Sequence, residues 1–521
     1  MSHSWSHGRA EKHILSRIAD VEDVEVVDYT KEKSLESIPV NKAYRVFGAH
    51  LYADITNIGD MLNCTTDEGS TCHRRTLRFL HLHQRAVKRV LDACDIKRVD
   101  FHNQRLHGVV IKPYNTDPNA EAKRIHRAIA VAQLIIDVLA ETGDEDEHIA
   151  NAKVRVGIDS GEALAVNNGR RNGREALFLG TPANLAAKLA SGAAREGIYL
   201  TNNTREAIGL KAVEKPSSTA LTKAEIEISQ EQANLPASKD EIVAAWRADF
   251  ENTSINDFQF TRHTPPLEGL RFDDLGPKTS RRQEAVNIYA DLDGFTQFVA
   301  DNLTHAAKDV VKVLHVVRAE LDRVISKDFG GRRVRFIGDC IHSLLCEGTS
   351  QTTDVEETIS VATLCAGGLR SSFDLCLEKL MEDGIDVGGL GLAIGFEHGW
   401  MTATRLGVQG DRLRCSISRA TYAAEGEQLR CNGQQTAIGQ NAYDEGTDAV
   451  RNLFGTSRRI GGMGYDEAVD GLADDGDKAA AAARKSALVS AAPAIQRAAE
   501  MPLELSIGLE WGPRTGAQKG L

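Results

Sequence analysis

Two aspartates in the C-terminal half have the type and setting for phosphate chemistry. Asp291 closes a β-rich run in YADLDGFTQF, and Asp339 lies in RFIGDCIHSLL, where Gly338 permits a tight hairpin turn. Two hard carboxylate ligands on neighbouring central strands suit Mg²⁺ or Mn²⁺. Just beyond Asp291, the residues Asp293, Gly294, Phe295 and Thr296 turn into a helix. Backbone N–H groups at a helix start attract phosphate oxygens, so this turn reads as a phosphate seat beside a cation. Either aspartate alone is more simply a turn or capping residue; their combination points to metal-assisted chemistry.

The elements that position these residues occur twice. AYRVFGAHLYAD ends at Asp54 and EAVNIYAD ends at Asp291, both β-rich and both closing in Tyr-Ala-Asp. Each is followed by a helical pattern, RRTLRFLHLHQRAVKRVLDAC and HAAKDVVKVLHVVRAELDRVI, and then by a hairpin. The hairpins RVDFHNQRLHGVV from Arg98 and RVRFIGDCIHSLL from Arg333 align without a gap. A second helix and a β segment complete each copy, at a near-constant offset of about 235 residues. Strand, helix, hairpin, helix, strand with βαβ crossovers predicts an α+β fold of two tandem ferredoxin-like domains. The expected limits are an N-terminal tail over 1–40, a first domain over 41–205 and a linker with short helices over 206–282. A second domain follows over 283–465, then a tail over 466–521 that reads as a surface helix or a disordered end.

Composition narrows the class. At 521 residues and 42% hydrophobic content the chain is too long for one core. A net charge of −12 argues against a nucleic-acid groove. The nine cysteines form no C-x-x-C pair, and no run approaches the roughly 20 apolar residues of a membrane span. The expectation is a cytoplasmic protein that binds neither nucleic acid nor membrane.

A strand-end Asp followed by GFT, a helix and a hairpin bearing IGD resembles the metal-binding signature of class III nucleotide cyclases. The resemblance implies that Asp291 and Asp339, with the Leu292 carbonyl, bind two metal ions per active site, which assist attack of the ribose 3′-oxygen and loss of pyrophosphate. The first copy retains Asp54 but carries Gln104 at the second metal position. It also contains FLGTPANLAAKLASGA, which looks like the family segment whose Asn and Arg stabilise the transition state; Asn184 matches and Lys188 stands for the Arg. Four residues apart, both can point from one helix face, although Lys lacks the bidentate fork of Arg. The second copy has Ser418 and Tyr422 at these places, with Arg419 a conceivable substitute. The two copies therefore read as a pseudo-symmetric pair with one productive and one degenerate cleft, formed within one chain or in a homodimer.

By the same resemblance the base is read at Asp100, aligned with Arg335, and at apolar Leu177. A carboxylate accepts hydrogen bonds, which favours cytosine, guanine or uracil over adenine. Taken whole, the chain looks like the pyrimidine cyclases of bacterial anti-phage Pycsar systems. That implies cyclic CMP or cyclic UMP made from a nucleoside triphosphate as an alarm for a separate effector, with Asp100 inclining toward CTP. A purine cyclase and a catalytically silent nucleotide-binding module are the rivals, the latter suggested by Gln104, Ser418 and Tyr422. His81, His83, His107 and His342 read as structural or partner-facing, and the absence of a G-G-[DE]-E-F turn disfavours diguanylate chemistry.

Overall fold

The computed structural model describes residues 3–144, 148–167, 176–191 and 195–486; the last part of the expected C-terminal tail lies outside them. Helix α1 (His7–Asp20) and strand β1 (Glu25–Asp28) precede the first set of elements. These are β2 (Lys42–Ile55), α2 (Ser70–Ala93), β3 (Lys97–His102), β4 (Arg105–Val110), α3 (Ala120–Leu139), β5 (Val154–Asn167), β6 (Ala176–Leu179), α4 (Thr181–Ser191) and β7 (Gly197–Leu200). The sheet runs β3-β4-β2-β5-β6, with β1 parallel on β2 and β7 parallel on β5.

Two helices with complete capping boxes follow, α5 (Lys223–Ala233) and α6 (Lys239–Glu251). They are docked, not free: Asp249 of α6 accepts from Arg85 Nε of α2 at 3.0 Å, and Trp246 is fully buried. These two helices of the connector are thereby packed on the first half, whereas Leu267, Leu270, Phe272 and Leu275 further along it pack with Ala285 and Val334 of the second.

The second set comprises β8 (Phe260–Arg262), β9 (Ser280–Asp293), α7 (Phe295–Asn302), α8 (Ala307–Arg323), β10 (Arg332–Ile337), β11 (Cys340–Leu345), α9 (Val355–Glu382), β12 (Gly391–Leu406), β13 (Leu413–Ile417), α10 (Arg419–Leu429), β14 (Gln435–Ile438), β15 (Arg459–Gly461) and α11 (Tyr465–Asp474). Its sheet runs β10-β11-β9-β12-β14-β15, with β8 parallel on β9 and β13 antiparallel on β12. The strand that ends in the candidate metal Asp is central in each sheet, which explains its near-continuous apolar run. Val310, Leu314, Val317 and Leu321, at helical spacing on α8, are buried against this sheet.

The cores interlock. Ala43, Leu164, Val166, Leu177 and Leu179 of the first sheet share one apolar cluster with Val286, Ile288 and Leu292 of the second. Conversely Leu406, Leu413, Cys415 and Ile417 of the second sheet join the first half's cluster around Phe79 and Leu82. Helix α1 buries Ala10 and Ile14 in the second half's core, although it begins the chain. Separating the halves would expose both exchanged sets to water, at about 25 cal/mol per Å². Among the described residues no helix is long and apolar enough to cross a membrane.

Candidate active site

Asp291 lies two residues before the end of β9, and Asp339 sits at the tip of the β10–β11 hairpin, beside the strand next to β9. Gly338 takes φ +60 at that tip, and Asn103 does the same at +48 in the first copy, a backbone state open to Gly and Asn. Burial drives the Asp291 carboxyl well above the usual carboxylate range, and repulsion from Asp339, Asp293 and Glu425 adds to it. Burial also raises Asp339, against the opposing pull of its own backbone N–H, Arg318 and Lys188. Two half-buried carboxylates that repel each other are stabilised in their charged form by a divalent cation. The donor set therefore fits the metal ions that class III cyclase domains use, with the Leu292 carbonyl adjacent to Asp291 on β9.

The phosphate seat follows. Gly294 has φ +80 at the N-cap of α7, and a Cβ there would lie 2.4 Å from the Gly389 carbonyl oxygen, so the turn demands glycine. Phe295 anchors the helix in the core and Thr296 faces the first half. Asp293 turns elsewhere: its carboxylate accepts from the Gly433 N–H at 2.7 Å, tying β9 to the loop before β14.

Helix α4 of the first half reaches the same cleft. Asn184 Nδ2 donates to Thr296 Oγ1 at 2.9 Å, and the Lys188 charge acts on Asp339. The sequence alone places Asn184 more than a hundred residues from this turn; the fold brings them into hydrogen-bond contact.

Asp100 and Arg335, the two candidate base-reading residues, meet each other. The Arg335 guanidinium donates to the Asp100 carboxylate across the halves, and to the Phe101 carbonyl at 2.6 Å. Asp100 and Leu177 line a small cavity of about 40 Å³ together with Tyr52, Val99, His107, Phe178, Asn184 and Phe336. Tyr52 and Phe178 were missed by the sequence reading, and His107 was read only as structural or partner-facing; the one available signal was the Tyr shared by both Tyr-Ala-Asp motifs. The Tyr52 ring stacks on His107 at 4.0 Å, and the Tyr289 ring on His342 at 4.2 Å, both as cross-strand partners. His81, His83 and His342 are spent on protein groups, as expected of structural histidines: His81 accepts from the Gly407 N–H, His83 meets Thr142, and His342 meets Asn287.

The corresponding cleft on the other side is filled by its own side chains. Tyr422 O–H donates to Gln104 Oε1 at 2.8 Å. The Arg105 guanidinium pairs with Glu425 and lies 3.9 Å from Asp54. Burial lifts Asp54 to about 6, with Arg105 opposing. Ser418 caps α10 by accepting from the Thr421 N–H, and Arg419 donates to the carbonyls of Leu62, Thr65 and Thr66. Arg419 is thus a staple between the halves, turned away from the metal aspartates.

Comparison with known proteins agrees with this geometry. Residues 52–233 match the model of the adenylate and guanylate cyclase catalytic domain. A protein of Pseudomonas aeruginosa called uridylate cyclase is 56% identical over 97% of this chain and 98% of its own length. A uridylate cyclase of a Rhizobium species is 39% identical over 81% of this chain and 83% of its own. The crystal structure of a class III adenylyl cyclase-like ATP-binding protein from Pseudomonas aeruginosa superposes with a TM-score of 0.89 at 56% identity, covering 91% of this chain and all of that one. Identities of 56% and 39% over most of its length mean that this chain belongs to the class III nucleotide cyclase family.

Proposed function

We propose that the protein converts UTP to 3′,5′-cyclic UMP and pyrophosphate in a cleft shared by two tandem cyclase-type domains, residues 41–205 and 283–465, joined by residues 206–282. The observation that carries this reading is the hydrogen bond of Asn184 to Thr296, with the Lys188 charge acting on Asp339, which joins residues of both halves at one cleft.

Asp291, Asp339 and the Leu292 carbonyl hold the cations. When bound, two Mg²⁺ or Mn²⁺ ions supply a lowered pKa for the ribose 3′-hydroxyl and charge neutralisation on the triphosphate. The chain itself does the rest. Gly294, Phe295 and Thr296 present backbone N–H groups to phosphate oxygens, Asn184 orients the ribose, and Lys188 stabilises the charge that develops on the phosphoryl oxygens. The interlocked cores favour a cleft made within one chain over one made between chains.

The cavity beside this site is small, and rings of Tyr52, His107 and Phe178 wall it. A narrow pocket suits a one-ring base better than a purine. Between the pyrimidines, Asp100 alone points to CTP, but Asp100 is engaged by Arg335, and both curated relatives are called uridylate cyclases. UTP is therefore the substrate we favour. The product would act as the alarm of an anti-phage system, sensed by a separate effector. Incubation of the purified protein with each of the four ribonucleoside triphosphates and Mn²⁺ tests the proposal: cyclic UMP should be the main product, and cyclic AMP, GMP or CMP in its place would refute it.

A further inference from the structure

We infer that His107 is a specificity-determining residue, presenting an Nδ1–H donor to the 4-carbonyl oxygen of uracil while its neighbour Asp100 accepts from N3–H. The inference rests on the uridylate reading above and adds the group that separates uracil from cytosine.

Geometry puts the two side by side. Asp100 and His107 are register partners on β3 and β4, so they project to the same face of the sheet, and both line the cavity beside Asn184. The face of the imidazole is covered by the Tyr52 ring, which leaves its edge as the polar surface. One edge nitrogen is spoken for: His107 Nε2 lies 3.1 Å from His50 Nδ1. His50 Nε2 is sealed in the protein with no partner, and with Nε2 engaged the His107 ring has only Nδ1 to offer the cavity it lines.

This pair can share its proton in two ways. Both rings are fully buried, and burial holds both imidazoles neutral, His50 at about 3. If His107 Nε2 were the donor, the His50 proton would be on Nε2, an N–H buried without an acceptor. If His50 Nδ1 is the donor, the orphan is a bare ring nitrogen. A buried unsatisfied N–H is the rarer and costlier arrangement. The second tautomer therefore prevails, and it places the His107 proton on Nδ1, at the cavity.

The resulting pattern is a donor beside an acceptor. Uracil offers the complement, a 4-oxo acceptor next to an N3–H donor. Cytosine offers a 4-amino donor next to a bare N3, so against this pair both contacts are mismatched. A carboxylate accepts several hydrogen bonds, so Asp100 can hold Arg335 and still meet the base. The second half lacks the device: there Arg335 is the register partner of His342, and Asn287 occupies the place of His50.

The test measures kcat/KM for UTP and for CTP. His107→Phe keeps a ring for Tyr52 to stack on and removes the donor; the UTP-to-CTP ratio should fall about tenfold or more. His50→Phe frees the tautomer and should lower the ratio as well, while His342→Phe, in the second half, should leave it unmoved. A wild-type protein that makes cyclic UMP and a His107→Phe protein with the wild-type ratio would overturn this inference alone. A wild-type protein whose main product is another cyclic nucleotide overturns the uridylate reading and this inference with it. Should either variant fail to fold, ring ¹⁵N shifts of labelled wild-type protein decide: protonation of His107 at Nδ1 is expected, and protonation at Nε2 sinks the proposal.

Discussion

In one cleft Asp291 and Asp339 face Lys188 and Asn184; in its counterpart Asp54 and Gln104 face Arg105, Glu425 and Tyr422. The elements correspond: in each an Asp lies near the end of a central strand, a hairpin tip lies beside the next strand, and a helix of the other half contributes side chains. What differs is the source of the positive charge. The second cleft carries its own, a guanidinium one residue past the second metal position, where the first has Cys340. Gln104 is then spent on Tyr422, and the cleft is filled by residues that satisfy one another. The first has two half-buried carboxylates with raised pKa values, where Arg318 and Lys188 only partly offset the rise at Asp339. One site thus keeps a carboxylate pair whose charge a bound cation would offset, while the other pairs its own charges across the halves.

The largest effect expected is the difference between the aspartates themselves. Asp291→Asn or Asp339→Asn should lower cyclic nucleotide formation by on the order of 10³-fold or more, because each removes a hard ligand from the two-cation clamp. Asp54→Asn, the matching change across the molecule, should leave the rate within about threefold, since that carboxylate faces a guanidinium and touches no reacting group. Equal losses in both clefts, measured by product analysis at saturating Mn²⁺, would break the comparison.

Removal of the amide comes next. Asn184→Ala should cost about 10²-fold in kcat, the usual effect of deleting one preorganised transition-state donor, with a smaller change in KM. Ser418→Ala at the corresponding place should change kcat little, because Ser418 is occupied in capping α10. Its expected cost is in stability, about 1 kcal/mol. A kcat loss of similar size in both variants would mean that both clefts turn over.

Arg105→Met sharpens the comparison through stability. It leaves Glu425 and Asp54 partly buried without their cation, and a loss of roughly 2–4 kcal/mol is expected. The double variant Arg105→Met with Glu425→Gln should recover part of it, seen as a rise in Tm over the single variant. A double variant no better than the single one would show that the pair does not bear on the interface.

Much of this was legible before any coordinates. The repeat, the strand order and the GFT and IGD motifs are local patterns, and a pattern of period two or 3.6 specifies which face a residue occupies. The places of Asp291, Asp339, Gly294 and Thr296 near a strand end, at a hairpin tip and at a helix start were readable for that reason. Asn184 was readable because its helix carries a motif. Partners across the halves were not: Asp100 with Arg335, Arg105 with Glu425, and Arg419 with the loop at Thr65 join residues more than 200 positions apart, and no local period encodes such a meeting. Asp293 shows the same limit on a small scale. Its position beside the phosphate turn is plain in sequence, but its carboxylate is claimed by the Gly433 N–H, from a loop 140 residues on.

The smallest effect expected is a pH dependence confined to the second cleft. Burial raises Asp54 from 3.8 to about 6, with Arg105 only partly offsetting it. A carboxyl whose folded pKa lies above its unfolded value binds its proton more tightly in the native state, so it opposes folding once ionised. The penalty is absent below about pH 4, grows as pH rises toward 6, and is constant above that. Asp54→Asn removes the titration but keeps the shape of the side chain beside Gln104. Its unfolding free energy relative to wild type, measured in denaturant, should therefore increase between about pH 4 and pH 6 and then level off, by an amount on the order of 1–2 kcal/mol. A difference that shrinks over this interval would mean that Arg105 lowers Asp54 below its ordinary value, making the second cleft a stabilising ion pair instead of a compromise between burial and charge.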